Sequence, residues 1–126
     1  MSEKNTNVET KVNAEEFAVA QKEAANSTEV YTHKFAKPFE HEDKKFDELT
    51  FEWGKLTGKD SLAIENEMSA LGIPLIAPEF SGEYLIRVAA RACTTEIGSD
   101  ILEALPLADY NKIRNKARSF LLRSGQ

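Results

Sequence analysis

Residues 82–94, GEYLIRVAARACT, decide how this chain folds. At about 100° per residue, Tyr84, Leu85, Ile86, Val88, Ala89, Ala90, Ala92 and Cys93 cover most of a helix circumference. Arg87 and Arg91, four apart, form the single polar stripe. A helix apolar almost all round gains little from water and belongs at the centre of a core. Its many small residues let neighbours approach closely, and Cys93 reads as a small core hydrophobe. Ser81 precedes it as a cap.

The flanking segments must therefore wrap this helix. On the N-terminal side, WGKLTGKDSLAIENEM (53–68) opens with two glycines that suggest a phosphate loop. Only three residues separate Gly54 from Gly58, however, and Asp60 stands where a P-loop needs Ser or Thr on Mg²⁺. A turn and a helix start suit the residues better. Thr57 caps the helix, Asp60 completes an acidic capping box, Ile64, Met68 and Leu71 share the buried face, and Gly72 ends it. Further upstream, VYTHKF places Tyr31, His33 and Phe35 on one face, and FDELTFEW does the same with Leu49, Phe51 and Trp53. With AKPFEHEDKK as a polar connection, they make an antiparallel hairpin, which needs helices on its apolar face to be stable.

On the C-terminal side, SDILEALP is a short amphipathic helix with Ser99 as its cap. Pro106 suits the first turn of a last helix. There Tyr110, Ile113, Ala117, Phe120 and Leu121 form the apolar stripe, and Lys112, Arg114, Lys116, Arg118 and Arg123 fill the remainder. The fold class is thus α+β, mostly helical: a hairpin packed on three main helices and one short one, within a single domain spanning 30–126. Residues 1–29 carry one aromatic, Phe17, and too thin an apolar stripe to fold alone; they read as a disordered or transiently helical polar arm.

With 126 residues, 41% of them hydrophobic, and a mean hydropathy of −0.44, the chain has the balance of one small soluble domain. The first residues lack an apolar signal core, and the longest uncharged run, Met68–Pro78, is far short of the ~20 residues of a membrane span. One cysteine excludes an internal disulfide and fits a reducing cytoplasm. The net charge of −5 is uneven: residues 1–86 hold 9 basic against 17 acidic side chains, and residues 87–126 hold 7 against 4. An acidic front and a basic last helix suit a charged partner or simple solubility.

Catalytic and metal constellations are poor. His33 and His41 with Glu40, Glu42 and Asp43 lack the spacing of known metal sites, and a solvated acidic turn explains them better. No acidic pair stands isolated in apolar surroundings, and no Gly-rich cradle exists, so neither a metal nor a cofactor is expected. The segment IPLIAPEF (73–80) admits two readings. Ile73, Leu75, Ile76 and Phe80 either lie over the core as a loop or form an exposed apolar ledge for a partner.

The order of FDELTFEW, LTGKDSLAIENEM, YLIRVAARA and LPLADYNKIRNKARSFL resembles the phage tail assembly chaperones of contractile-tailed temperate phages and prophages. The L-T-G-x-D element at Leu56–Asp60 and the L-P-x-x-D-Y element at Leu105–Tyr110 carry most of it, within a match from Tyr31 to Leu122. The resemblance implies a small non-enzymatic protein that holds the tape-measure protein soluble while tail-tube subunits assemble around it. Such a protein is made in the host cytoplasm, is absent from the mature virion, and is often accompanied by a frameshifted longer form of itself. The polar arm departs from the family pattern. On this reading Ile73, Leu75, Ile76 and Phe80, with Arg114 and Arg118, are the candidate partner-binding residues. The alternative function is a small nucleic-acid-associated regulator that uses the basic last helix.

Overall fold

The structure is a computed structural model that describes residues 29–124, so the arm expected over 1–29 lies almost wholly outside the described residues. Strand β1 (Val30–His41) pairs antiparallel with β2 (Lys44–Glu52). Helices α1 (Gly58–Ala70), α2 (Gly82–Ala92), α3 (Ser99–Glu103) and α4 (Leu107–Ser124) follow. Short 3₁₀ turns occupy Trp53–Lys55 and Pro78–Phe80. The α+β, mostly helical class expected from the pattern is the class observed.

The apolar helix is central. α2 packs against α1, α3, α4, β2 and both 3₁₀ turns. Leu85, Ala89 and Ala92 are wholly enclosed. Of its polar stripe, Arg91 is exposed but Arg87 is not. Arg87 is buried, paired with Glu83 one turn back and lying 3.3 Å from Glu67 of α1. Arg91 donates from Nε to Asp60 of α1 at 2.8 Å. Both arginines thus tie α1 to α2, and the acidic residues at α1's start and end are what draw them there.

The hairpin is longer than its apolar runs suggested. Glu42 and Asp43 alone make the turn, with φ of +48° and +69°, and the neighbouring polar residues pair as His41↔Lys44 and Glu40↔Lys45. Two consecutive left-handed residues match the right-handed twist of the strands, which is why a two-residue turn forms without Asn or Gly. Between Lys34↔Glu48 and Phe39↔Phe46 the register slips, because β1 carries three more residues than β2 there. Pro38 falls in this bulge, where its missing N–H breaks no ladder bond. The inward set from Tyr31 through His33 to Phe35, and Leu49 with Phe51, sits as the alternation requires. An aromatic row then runs from Phe51 through Trp53 (5.3 Å) to Phe120 of α4 (6.1 Å) and knits the hairpin to the last helix.

Caps fix the helix limits. The Asp60 carboxylate accepts the Thr57 N–H at 2.8 Å, so the phosphate-loop lookalike is a helix start whose amide end is filled by its own carboxylate. Gly72, at φ +73°, closes α1 in a Schellman arrangement, with Ile73 N–H donating to the Met68 carbonyl at 2.8 Å. Ser81 accepts the Tyr84 N–H as expected. Three expectations need correction. Leu71 is 64% exposed, because the chain turns away at Gly72 before the apolar face of α1 reaches it. The cap of α3 is Gly98, and Ser99 is its first helical residue. Pro106 stands just before α4, its carbonyl receiving the Tyr110 N–H at 2.9 Å.

Candidate partner-binding face

The segment between α1 and α2 divides its apolar residues. The Schellman turn aims Ile73 back at α1, and Ile73 and Leu75 are half-buried against the core. Pro74 and Pro78 stiffen the segment that joins them, and Pro78 begins the 3₁₀ turn. Ile76 and Phe80 face outward, 94% and 70% exposed. The segment thus divides: Ile73 and Leu75 pack against the core, and Ile76 and Phe80 are exposed. Met68, Ser69, Leu75 and Pro78 line a shallow groove beside Ile76.

The basic helix reaches the same ledge. Arg118 donates from Nε to the Glu79 carbonyl at 3.1 Å and lays its guanidinium 5.7 Å from the centre of the Phe80 ring. One turn earlier, Arg114 stacks over Tyr110 at 5.8 Å, and the Tyr110 hydroxyl stands 3.2 Å from where a Cβ on Gly82 would sit. Phe80 and Arg118 are thus in direct contact, and Arg114 lies along the same helix. Ile73 and Leu75 are half-buried, and both line the shallow groove beside Ile76. Lys116 is also set over a ring, that of Tyr31, at 5.1 Å. Three of the helix's five cations therefore lie against aromatic rings, leaving a sparser row of free charge than the sequence suggested.

Three groups that chemistry could use, His33, Asp60 and Cys93, are engaged in structural contacts. His33, 3% exposed, has Nε2 2.7 Å from Asp109 Oδ1 and Nδ1 2.8 Å from the Tyr31 hydroxyl. The carboxylate can only accept, so Nε2 donates to it. Burial, then the Asp109 charge, raises the Tyr31 pKa. The backbone hydrogen bond from Thr57 and the Arg91 guanidinium lower that of Asp60. Cys93 is buried beneath an isolated bridge to Phe51, and burial pushes its thiol up, away from the thiolate a nucleophile needs. His41 stacks on Phe39 and lies 3.5 Å from its neighbour Glu42. Among the described residues no group of three His, Cys, Asp or Glu could hold a metal, and no helix is long and apolar enough to cross a membrane.

No protein-family model, curated protein or solved structure matches this chain. The face is therefore read from its own chemistry. Exposed apolar residues with Arg118 beside them can take the apolar side of an amphipathic helix that carries acidic residues along its edge. Sequence reasoning missed the exposure of Leu71 and the link from His33 to Asp109. The first had a signal in Gly72. The second, across 76 residues, had none.

Proposed function

We propose that this chain is a non-enzymatic phage tail assembly chaperone. It binds the tape-measure protein in the host cytoplasm, keeps it soluble while the tail tube assembles, and stays out of the mature virion. Its other partners on this reading are the tail-tube protein and a frameshifted longer form of itself. The observation that carries the proposal is the ledge, where Ile76 and Phe80 stand exposed on a proline-stiffened segment beside Arg118. A holdase needs an apolar contact surface and enough charge to keep its complexes in solution. The non-enzymatic reading draws support from His33, Asp60 and Cys93, each of which is held in a structural contact.

The strings that carry the family resemblance have structural roles here. Asp60 of L-T-G-x-D caps α1, and Asp109 of L-P-x-x-D-Y anchors α4 to the hairpin. They bear on a shared fold, while the partner surface rests on the ledge.

Ile76→Asp is the cleanest test, since a side chain so exposed contributes little to stability. Binding to the tape-measure protein of the same gene cluster should fall at least about tenfold, the equivalent of ~1.4 kcal/mol. The melting temperature should stay unchanged. Charge reversal at Arg114 and Arg118 should act the same way, with some loosening of the ledge where Arg118 holds Glu79. Binding at wild-type strength by Ile76→Asp would place the surface elsewhere. Binding that collapses with rising salt whether or not Ile76 is replaced would favour the nucleic-acid alternative, since phosphate contacts are lost steeply with salt.

A further inference from the structure

The ledge and the groove beside it are two halves of one fit. Ile76, 94% exposed, projects from the segment between α1 and α2, and Phe80 follows it at 70%. The groove next to Ile76, about 510 Å³ in volume, has Met68 and Leu75 in its lining together with Pro74 and Pro78. One face therefore carries both an unburied apolar knob and an unfilled apolar hole. Charge divides along the same line. Among the described residues Glu65 is the one charged side chain lining the groove, and it makes no ion pair there. Arg118 borders Phe80 and is likewise without an ion pair, since Glu79 engages it through the carbonyl and not the carboxylate.

We infer that this face pairs with a second copy of the chain about a two-fold axis. Ile76 of each copy sits in the groove of the other, and Arg118 of each stands opposite Glu65. A two-fold contact brings a patch against itself, so a point on one side of the axis meets its counterpart on the other. With the axis midway between Ile76 and the groove, knob meets hole twice and the positive end meets the negative end twice. An unrelated partner would have to supply a hole, a knob and both charges at the matching spacing. A second copy holds all four at that spacing because they belong to the same surface. As regulation of the ledge, the inference rests on the chaperone reading: the paired form covers Ile76 until a partner helix takes its place. The pairing itself is a property of the chain alone.

The test is sedimentation velocity on the purified full chain over a range of concentrations. A monomer–dimer equilibrium is expected, and Ile76→Asp should weaken it at least about tenfold. Glu65→Arg and Arg118→Glu should each weaken it several-fold, because either one sets like charges opposite each other at both contacts. Mixed in equal amounts, those two variants should regain the dimer, since the mixed pair again has opposite charges at both contacts. That recovery also shows that both variants are folded. A chain monomeric up to about 1 mM, a dimer indifferent to Ile76→Asp, or a mixture that does not recover overturns the inference. Oligomers larger than two overturn it as well, by making the contact head-to-tail. The chaperone reading fails separately. A monomer that still holds the tape-measure protein in solution refutes only the pairing, and a dimer that cannot do so refutes only the chaperone.

Discussion

Replacing Asp109 with alanine should destabilise the domain far more than its position near a helix start suggests. Asp109 lies in the first turn of α4, where a carboxylate complementing the helix dipole contributes about 0.3–1 kcal/mol. Its larger role is to accept the Nε2 proton of His33, a side chain only 3% exposed whose other nitrogen is held by Tyr31. Alanine leaves that buried N–H without its acceptor, at a cost of about 1–3 kcal/mol. The combined loss is about 1.3–4 kcal/mol. At about 4–8 °C per kcal/mol for a domain of this size, the melting temperature should fall by roughly 5 °C or more. Asp109→Asn keeps an acceptor oxygen and loses the charge, so it should cost under about 1 kcal/mol. Urea unfolding of the three proteins, followed by Trp53 fluorescence, measures both differences, since Trp53 is wholly buried between Phe51 and Phe120. An alanine variant within about 0.5 kcal/mol of wild type would refute the assigned hydrogen bond. So would an asparagine variant as unstable as alanine, which would make the charge the dominant contribution.

Other outcomes follow from the same contacts. Asp60 has a lowered pKa because Thr57 N–H and Arg91 hold its charged form, so its contribution is fully present above the ordinary carboxylate range. That contribution is lost as pH falls through the lowered value, and Asp60→Asn should flatten the acid limb of the stability–pH curve while lowering stability at neutral pH. A variant as acid-sensitive as the parent would contradict this. At the hairpin turn, Glu42→Asn with Asp43→Gly should stabilise by about 1–2 kcal/mol, because both native residues sit at positive φ, where ordinary side chains are strained. An unchanged denaturation midpoint would argue against a strained two-residue turn. Gly72→Ala should cost about 1 kcal/mol for the same reason in reverse, readable as a lower urea midpoint with an unchanged slope.

Much of the local chemistry was legible where the determinants lie within one turn of each other, although the cap of α3 fell to Gly98 and not Ser99. The caps at Thr57 and Ser81, the stop at Gly72 and the all-round apolar helix each follow from a few adjacent residues, and each appears where their pattern puts it. The extent of the hairpin was not, because Phe39, Glu40 and His41 pair through backbone groups that side-chain polarity does not report, and the bulge at Pro38 breaks the period-two alternation. The candidate face was legible in composition but not in depth. Nothing in IPLIAPEF alone tells which isoleucine supports and which is presented, since that depends on the direction in which Gly72 turns the chain. Long-range pairs such as His33 with Asp109, or Arg91 with Asp60, depend on how α2 orients its neighbours and leave no trace in spacing.

The central claim is that the exposed ledge keeps an aggregation-prone helical partner in solution, and co-expression with the tape-measure protein of the same gene cluster tests it most directly. The prediction is a soluble complex that survives pull-down at both low and high salt, with the partner insoluble when expressed alone or with the Ile76→Asp variant. A partner soluble unaided, with no complex recovered at either salt concentration, would contradict the claim.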